Sequence, residues 1–138
     1  METKACTKCN RILPIDDFNW RDKQRGVRRS ECKYCHCEFM KKAYETKQAE
    51  VAKLKATLSC KKCGERKEYK LDFHHKDPSK KETTVARMIS NNYRIDKILD
   101  EIKKCVVLCA GCHREFHYYN NRYGIELNDY LENDYDFD

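Results

Sequence analysis

The chain lacks what a large soluble domain or a membrane protein needs. Charged residues make up 38% of its 138 residues, and the mean hydropathy is -0.98. This composition excludes a large apolar core, so something other than apolar packing must stabilise the fold. No apolar run approaches the length of a membrane span, and residues 1–10 contain no apolar leader. We therefore expect a cytoplasmic protein with no membrane partner.

Glycine and proline are both absent from residues 38–58. Their absence excludes a turn there, and the composition favours one connecting basic helix over 38–58. Apolar and long side chains recur in it at alternating spacings of four and three: Met40, Tyr44, Lys47, Val51, Leu54 and Leu58. The repeat fits a coiled coil or a stripe that packs back on a neighbouring domain. The pattern therefore leaves the choice between a monomer and a weak homodimer open.

Lysine and arginine are absent from residues 124–138. The segment instead holds six acids: Glu126, Asp129, Glu132, Asp134, Asp136 and Asp138. Because the whole chain has a net charge of +6, residues 1–123 carry +12. A body this basic suits nucleic acid, although a merely solubilising surface has the same charge. We expect a loosely ordered acidic tail, with folding onto the basic face as a DNA mimic as the alternative.

Cysteine, by contrast, is abundant, and eight of the ten cysteines fall in CxxC pairs. In a reducing compartment this spacing favours metal binding over disulfides. We predict two structural zinc ions. The first is held by Cys6, Cys9, Cys32 and Cys35, and the second by Cys60, Cys63, Cys109 and Cys112. In the first set, His36 or Cys37 could replace Cys35.

Residues 1–37 are predicted to form a zinc ribbon that binds DNA. Gly26 marks a hairpin turn, and Trp20 is expected in a minimal core. Basic side chains around the hairpin could grip phosphates, and the DNA-binding candidates are Arg21, Arg25, Arg28 and Arg29.

Residues 59–123 are predicted to fold as strand, helical insertion, strand and helix. The strands are expected over 69–75 and 105–108, with Cys105 in the core, and the last helix over about 110–122. Ser79 and Glu82 have capping-box spacing, which predicts a helix from there to about Ser90, ended by Asn91 and Asn92. A second helix is expected to present one apolar face, formed by Ile95, Ile98, Leu99 and Ile102.

Four histidines accompany the second zinc set. His113 and His117 are four residues apart, so they share one helical face and can hold one ion. His74 and His75 are neighbours in a strand and point to opposite sides, so one can bind metal while the other acts as a base. We assign His74, His113 and His117 as ligands of a catalytic divalent ion and His75 as the general base. Together they suit phosphodiester hydrolysis.

The segments LDFHHKDP and CVVLCAGCHREFH resemble the HNH endonuclease family, also called the ββα-metal or His-Me finger nucleases. The resemblance covers residues 59 to about 122. It implies a ββα-metal nuclease domain in which His75 is the base and His74 and His113 bind metal. A zinc ribbon joined by a basic helix is similar to many phage-encoded HNH proteins, which implies a phage origin and action in the bacterial host.

One position departs from the family pattern. The family usually has asparagine five residues before the second CxxC, where this chain has Lys104. His117 is similar to the extra helix histidine of colicin-type DNases, which implies a histidine-rich site for Mg²⁺, Mn²⁺, Ni²⁺ or Zn²⁺.

The sequence thus predicts an α+β fold of small zinc-stabilised modules: a ribbon, a connecting helix, a nuclease domain with a helical insertion, and an acidic tail. The predicted function is metal-dependent cleavage of double-stranded DNA. In the nuclease domain, phosphates would be gathered by Lys76, Arg87 and Arg114. The alternative is a non-catalytic zinc-dependent nucleic-acid-binding protein, regulatory or architectural, whose nuclease motif has decayed.

Overall fold

The computed structural model describes residues 1–136, so the predicted tail acid Asp138 lies outside the described residues. Internal contacts divide the chain into two units, Met1–Glu45 and Thr46–Asp138. Both contain short strands and helical segments, which confirms the predicted α+β class. Among the helices in residues 1–136, none has the length and apolarity needed to cross a bilayer.

The first unit is built from two short antiparallel hairpins. Strand β1 (Thr3–Ala5) pairs with β2 (Ile12–Pro14), and β3 (Trp20–Asp22) pairs with β4 (Val27–Arg28). Gly26, at φ +68, forms part of the predicted turn between β3 and β4. The prediction that Trp20 fills the core is wrong, because its side chain is 41% exposed and Phe18 is fully buried instead.

Helix α1 (Lys33–Ala56) is the connecting helix, and it begins five residues earlier than the sequence predicted. Its first turn contains Cys35, so the helix starts within the first cysteine set. Val51 is buried against α2 (Val85–Ser90) and α3 (Ile95–Lys103). Val51 belongs to the second unit, so this part of the predicted stripe packs within that unit.

The second unit centres on an antiparallel pair, β5 (Leu71–His75) and β6 (Cys105–Cys109). Helix α4 (Ala110–Tyr123) follows β6 directly and contacts both strands. Two clusters of buried side chains meet these strands. One joins α4 to residues such as Leu108, and the other joins α2 and α3 to Phe73. Alternation along β5 therefore gives neighbouring residues different surroundings.

The helical insertion between β5 and β6 differs from the prediction in two ways. No helix starts at Ser79, because the Asp77 carboxylate accepts hydrogen bonds from the Ser79 backbone N–H and hydroxyl and holds residues 78–80 in a single 3-10 turn. Helix α2 begins at Val85 with Thr84 as its cap, and it ends at Ser90 before Asn92, at φ +57. In α3, Leu99 is exposed, whereas Glu101 is buried with Ile98 and Ile102.

Within the acidic tail, residues 127–132 form a helix, so the expectation of a loosely ordered tail is wrong for these residues. Helix α5 (Leu127–Glu132) buries Leu127 and Tyr130 against α4. The Tyr130 hydroxyl lies 3.1 Å from the Cys112 carbonyl oxygen and 2.6 Å from the Glu115 carboxylate. The sequence signal was the spacing of three between Leu127 and Tyr130, which puts both on one helical face.

Candidate metal centres

The first metal centre brings together the four predicted thiols. The Sγ atoms of Cys6, Cys9, Cys32 and Cys35 all lie within 4.8 Å of one another. Thiolates bound to zinc at about 2.3 Å lie about 3.8 Å apart in a tetrahedron, so the group fits a zinc ion. Cys35 is the fourth member rather than its neighbours. His36 instead pairs with Glu31 at 3.2 Å, and Cys37 is exposed.

Local hydrogen bonds prepare this centre for a cation. Burial raises the pKa of Cys6, but hydrogen bonds from the backbone N–H groups of Cys9, Cys32 and Lys8 outweigh burial and lower it to about 6. Burial and the surrounding thiols raise the pKa of Cys35 to about 12. Four thiols this close cannot all ionise without a positive charge between them, and a divalent metal supplies that charge.

The second centre unites the predicted thiols of Cys60, Cys63, Cys109 and Cys112, again within 4.8 Å of one another. The Sγ atoms of Cys63 and Cys109 are 3.7 Å apart. That distance fits two zinc ligands and is far longer than a disulfide bond of about 2.05 Å. Burial raises the pKa of Cys60, but backbone N–H groups outweigh it and lower the value to about 7. The two centres could therefore hold two zinc ions.

Strand β6 and helix α4 position this second centre. Cys109 ends β6 and caps α4, where its Sγ accepts a hydrogen bond from the Cys112 backbone N–H at 3.4 Å. Cys105, at the other end of β6, belongs to neither centre. Burial and nearby Glu101 raise its pKa to about 11, so the thiol stays protonated. Cys105 is only partly buried, however, which differs from the predicted core position.

Three of the four predicted histidines converge on one point. His113 Nε2 lies 3.1 Å from His74 Nδ1 and 3.1 Å from His117 Nε2. Nitrogens bound at about 2.0–2.1 Å lie about 2.9–3.4 Å apart in octahedral or tetrahedral shells. One imidazole nitrogen has either one proton or one lone pair, so it cannot form good hydrogen bonds with two other ring nitrogens at once. A metal ion between the rings can accept the lone pairs of all three nitrogens. The three rings therefore fit a divalent metal, as His74, His113 and His117 were predicted to do.

The protonation of these rings also suits metal binding. Burial, together with the neighbouring His113 and His117, lowers the pKa of His74 to about 4. Burial also lowers the pKa of His117. Both imidazoles are therefore neutral at pH 7 and offer a lone pair.

Asp72 was missed by the sequence reasoning. Its Oδ2 lies 3.1 Å from His113 Nδ1, the ring nitrogen remote from the other two histidines. The signal was available, because Asp72 precedes His74 by two residues and alternate residues of a strand share a face. A carboxylate on the remote nitrogen of a ligating histidine is a common support in metal sites.

His75 is not part of the histidine cluster. As strand alternation predicts, it points away from His74, and its side chain is buried with 8% exposed. His75 Nε2 lies 2.7 Å from Glu101 Oε1 on α3. Glu101, also missed in the sequence, is 1% exposed and remains charged. Burial opposes its ionisation, but hydrogen bonds from Lys104 and His75 and from the Glu82 backbone N–H lower its pKa to about 2.

Lys104, at the position where the family has asparagine, ties the insertion loop to α3. Its Nζ donates to Glu101 Oε2 at 2.8 Å and to the Lys80 carbonyl at 3.2 Å. Its own carbonyl accepts a hydrogen bond from the Lys76 backbone N–H at 3.0 Å. Lysine thus makes loop-holding hydrogen bonds at the position where the family pattern has asparagine.

The predicted DNA-binding side chains differ in how far they are exposed. Most are solvent-exposed: Arg21, Arg25, Lys76, Arg87 and Arg114. Arg29 is partly buried beside Glu31. Arg28 is committed to the fold instead, because its guanidinium lies over the Trp20 ring at 3.4 Å, donates to the Phe18 carbonyl and pairs with Asp16.

Comparison of the chain with family models, with curated proteins and with solved structures gives no match. The chemistry of the three centres is therefore the basis for assigning a function.

Proposed function

We propose that the protein is a metal-dependent endonuclease that hydrolyses phosphodiester bonds in double-stranded DNA. The observation that carries this proposal is the cluster of three imidazoles from His74, His113 and His117, whose nitrogens lie at metal-ligand spacing. Side chains in this cluster are partly exposed, so a substrate phosphate can approach. The sequence resemblance to the HNH family points to the same chemistry.

The three imidazoles would hold one divalent ion, and neutral rings bind Mn²⁺, Ni²⁺ or Zn²⁺ more readily than Mg²⁺. A bound divalent ion stabilises the negative charge that develops on the phosphate and on the leaving oxygen. Lys76, Arg87 and Arg114 are exposed cations in the same unit, and they would attract the DNA backbone. The two cysteine centres have a structural role in this proposal.

His75 is the proposed general base, and its hydrogen bond to Glu101 fixes which of its ring nitrogens can accept a proton. The Glu101 carboxylate only accepts hydrogen bonds, so His75 Nε2 donates to it. In the neutral ring, Nδ1 is then unprotonated and can take the proton of an attacking water. Glu101 further stabilises the imidazolium that this transfer creates.

The test is nicking of supercoiled plasmid by the zinc-loaded protein with each divalent metal in turn. We expect His113→Ala and His117→Ala to reduce the rate at least about 100-fold, because each removes a metal ligand. His36→Ala is the matched control, since His36 pairs with Glu31 outside the cluster, and it should nick like the wild type. Equal nicking by wild type and His113→Ala would refute the proposal.

A second candidate function is non-catalytic, zinc-dependent binding of nucleic acid. The burial of His75 against Glu101, away from the histidine cluster, favours this candidate. The three imidazoles would then hold a third structural metal between β5 and α4. Under this function the protein binds DNA with strong salt dependence but nicks it with none of the metals, and His75→Ala leaves binding unchanged.

A further inference from the structure

Asp72 connects β5 to helix α4 through the ring of His113. The carboxylate lies opposite Leu108 in the strand pair, on the same face of β5 as His74. From there Asp72 Oδ2 reaches His113 Nδ1 at 3.1 Å. Its side chain is 47% exposed, while that of His113 is 26% exposed. The contact thus forms where the cluster opens to solvent.

The contact matters because an imidazole has two nitrogens and only one of them can bind the shared ion. A carboxylate accepts but does not donate, so His113 Nδ1 must carry the proton. In the neutral ring, the lone pair then lies on Nε2. That nitrogen is the one 3.1 Å from His74 and from His117. The hydrogen bond and the convergence of the three rings therefore require the same tautomer.

We infer that Asp72 is a positioning residue that holds His113 in its Nδ1–H tautomer and thereby sets the metal affinity of the three-histidine centre. In residues 1–136, His113 is the member of the cluster whose remote nitrogen meets a carboxylate. The negative charge of Asp72 also strengthens His113 as an electron donor to the ion. The inference rests on the proposed function only in assigning a divalent metal to the three imidazoles.

Metal affinity provides the first test. The full chain, with zinc in both cysteine centres, is titrated calorimetrically with Ni²⁺ while absorption by thiolate-bound nickel is monitored to exclude exchange. We expect Asp72→Ala to weaken Ni²⁺ binding about 10- to 100-fold, and Asp72→Asn, which keeps the acceptor oxygen but loses the charge, to weaken it less. Asp100→Asn is the charge-matched control, because Asp100 pairs with Lys103 on α3, and its affinity should equal that of the wild type.

Nuclear magnetic resonance of the ring nitrogens provides the second test and needs no bound nickel. In the zinc-loaded wild type, His113 should show a protonated Nδ1 and an unprotonated Nε2. Asp72→Ala should mix the two tautomers, whereas Asp72→Asn keeps an acceptor oxygen and should preserve the Nδ1–H form. A merely structural role for Asp72 would leave the tautomer unchanged. An unchanged tautomer in Asp72→Ala, or a Ni²⁺ affinity of Asp72→Ala equal to that of the wild type, would overturn the inference.

Both measurements are independent of DNA cleavage. Suppose that Asp72→Ala no longer holds the Nδ1–H tautomer of His113 and binds Ni²⁺ more weakly, but the wild type nicks no plasmid. The nuclease proposal then fails and the role of Asp72 stands. If the wild type nicks plasmid through His113 but both Asp72 variants bind Ni²⁺ normally, the role of Asp72 fails alone.

Discussion

The two four-cysteine centres have the same ligands but very different surroundings. In the first unit, Phe18 is the one non-cysteine side chain in the buried cluster around the thiols. In the second unit, Cys60 and Cys112 belong to a larger buried cluster that also contains Leu71, Leu108, Phe116, Leu127 and Tyr130. A zinc ion in the first centre would thus be the main support of the first unit, whereas one in the second centre would add to an apolar core.

The difference shows how a chain with so little apolar material folds. A unit of about 45 residues buries little surface, and units of this size usually need a metal, disulfides or oligomerisation to offset their conformational entropy. Structural zinc contributes about 10–16 kcal/mol of binding free energy in small metal-dependent folds. Residues 46–136 contain more buried apolar side chains than the first unit does. Four cysteine ligands there add to a fold that apolar packing already stabilises in part.

The largest expected effect comes from removing one buried thiol from each centre. Cys32 and Cys60 are almost fully buried, at 1% and 2% exposure, and so form a matched pair. We expect Cys32→Ser to unfold the first unit completely, and Cys60→Ser to leave helices α3 and α4 partly formed. Fluorescence of Trp20, the single tryptophan, reports on the first unit, and amide hydrogen exchange reports on the second. Complete unfolding of the second unit in Cys60→Ser would contradict the comparison.

The next effect concerns Tyr130, which is 1% exposed in the second core. Tyr130→Ala should destabilise the second unit by about 3–5 kcal/mol through the cavity that it leaves. Tyr130→Phe removes only the hydroxyl beside Cys112 and Glu115 and should cost about 1.5–3 kcal/mol. Guanidinium unfolding gives these free energies, and a chromophoric chelator follows zinc release. Zinc should be released faster from the second four-cysteine centre only. Tyr118→Ala, at an exposed position, is the control and should change neither the free energy of unfolding nor the rate of zinc release.

The smallest expected effect is that of Glu101→Gln. The substitution should lower the free energy of unfolding by about 1–3 kcal/mol at pH 7, because His75 and Lys104 lose their hydrogen bonds to a buried charge. The folded pKa of Glu101, about 2, lies below its ordinary value of 4.5. A lowered carboxyl pKa stabilises the folded state above the ordinary value, and this contribution disappears as pH falls from 4.5 to 2. The stability gap between wild type and variant should therefore narrow only below pH 4.5. Thiol protonation is common to both proteins and cancels in the difference.

The metal centres could be predicted from the sequence because ligand spacing is a local property. The CxxC pairs, the helical spacing of His113 and His117, and strand alternation at His74 and His75 each depend on a few neighbouring residues. The same holds for the paired strands β5 and β6, whose apolar and β-branched residues lie next to the ligands.

What the sequence did not predict depends on contacts between distant residues. Glu101 looks like an exposed helix acid until His75, 26 positions away in the sequence, approaches it. Ser79 and Glu82 matched a capping box, but Asp77 and Glu101 captured the hydrogen bonds that the box required. Trp20 was expected in the core, yet Phe18 is the large ring in the buried cluster with the cysteines, and Trp20 lies at the surface against the Arg28 guanidinium.

The contact of Tyr130 with the Cys112 carbonyl also bears on the order in which the chain acquires its metals. The first centre needs only residues up to Cys35, whereas the second is not braced until Tyr130 has been synthesised. At about 5–20 residues per second, translation separates the two events by about 5–20 s. The first four thiols can therefore bind zinc before Cys109 and Cys112 exist, which limits mixed ligation among eight competing thiols. Because the two centres are far apart in the sequence, their two sets of cysteines are completed at different times during synthesis.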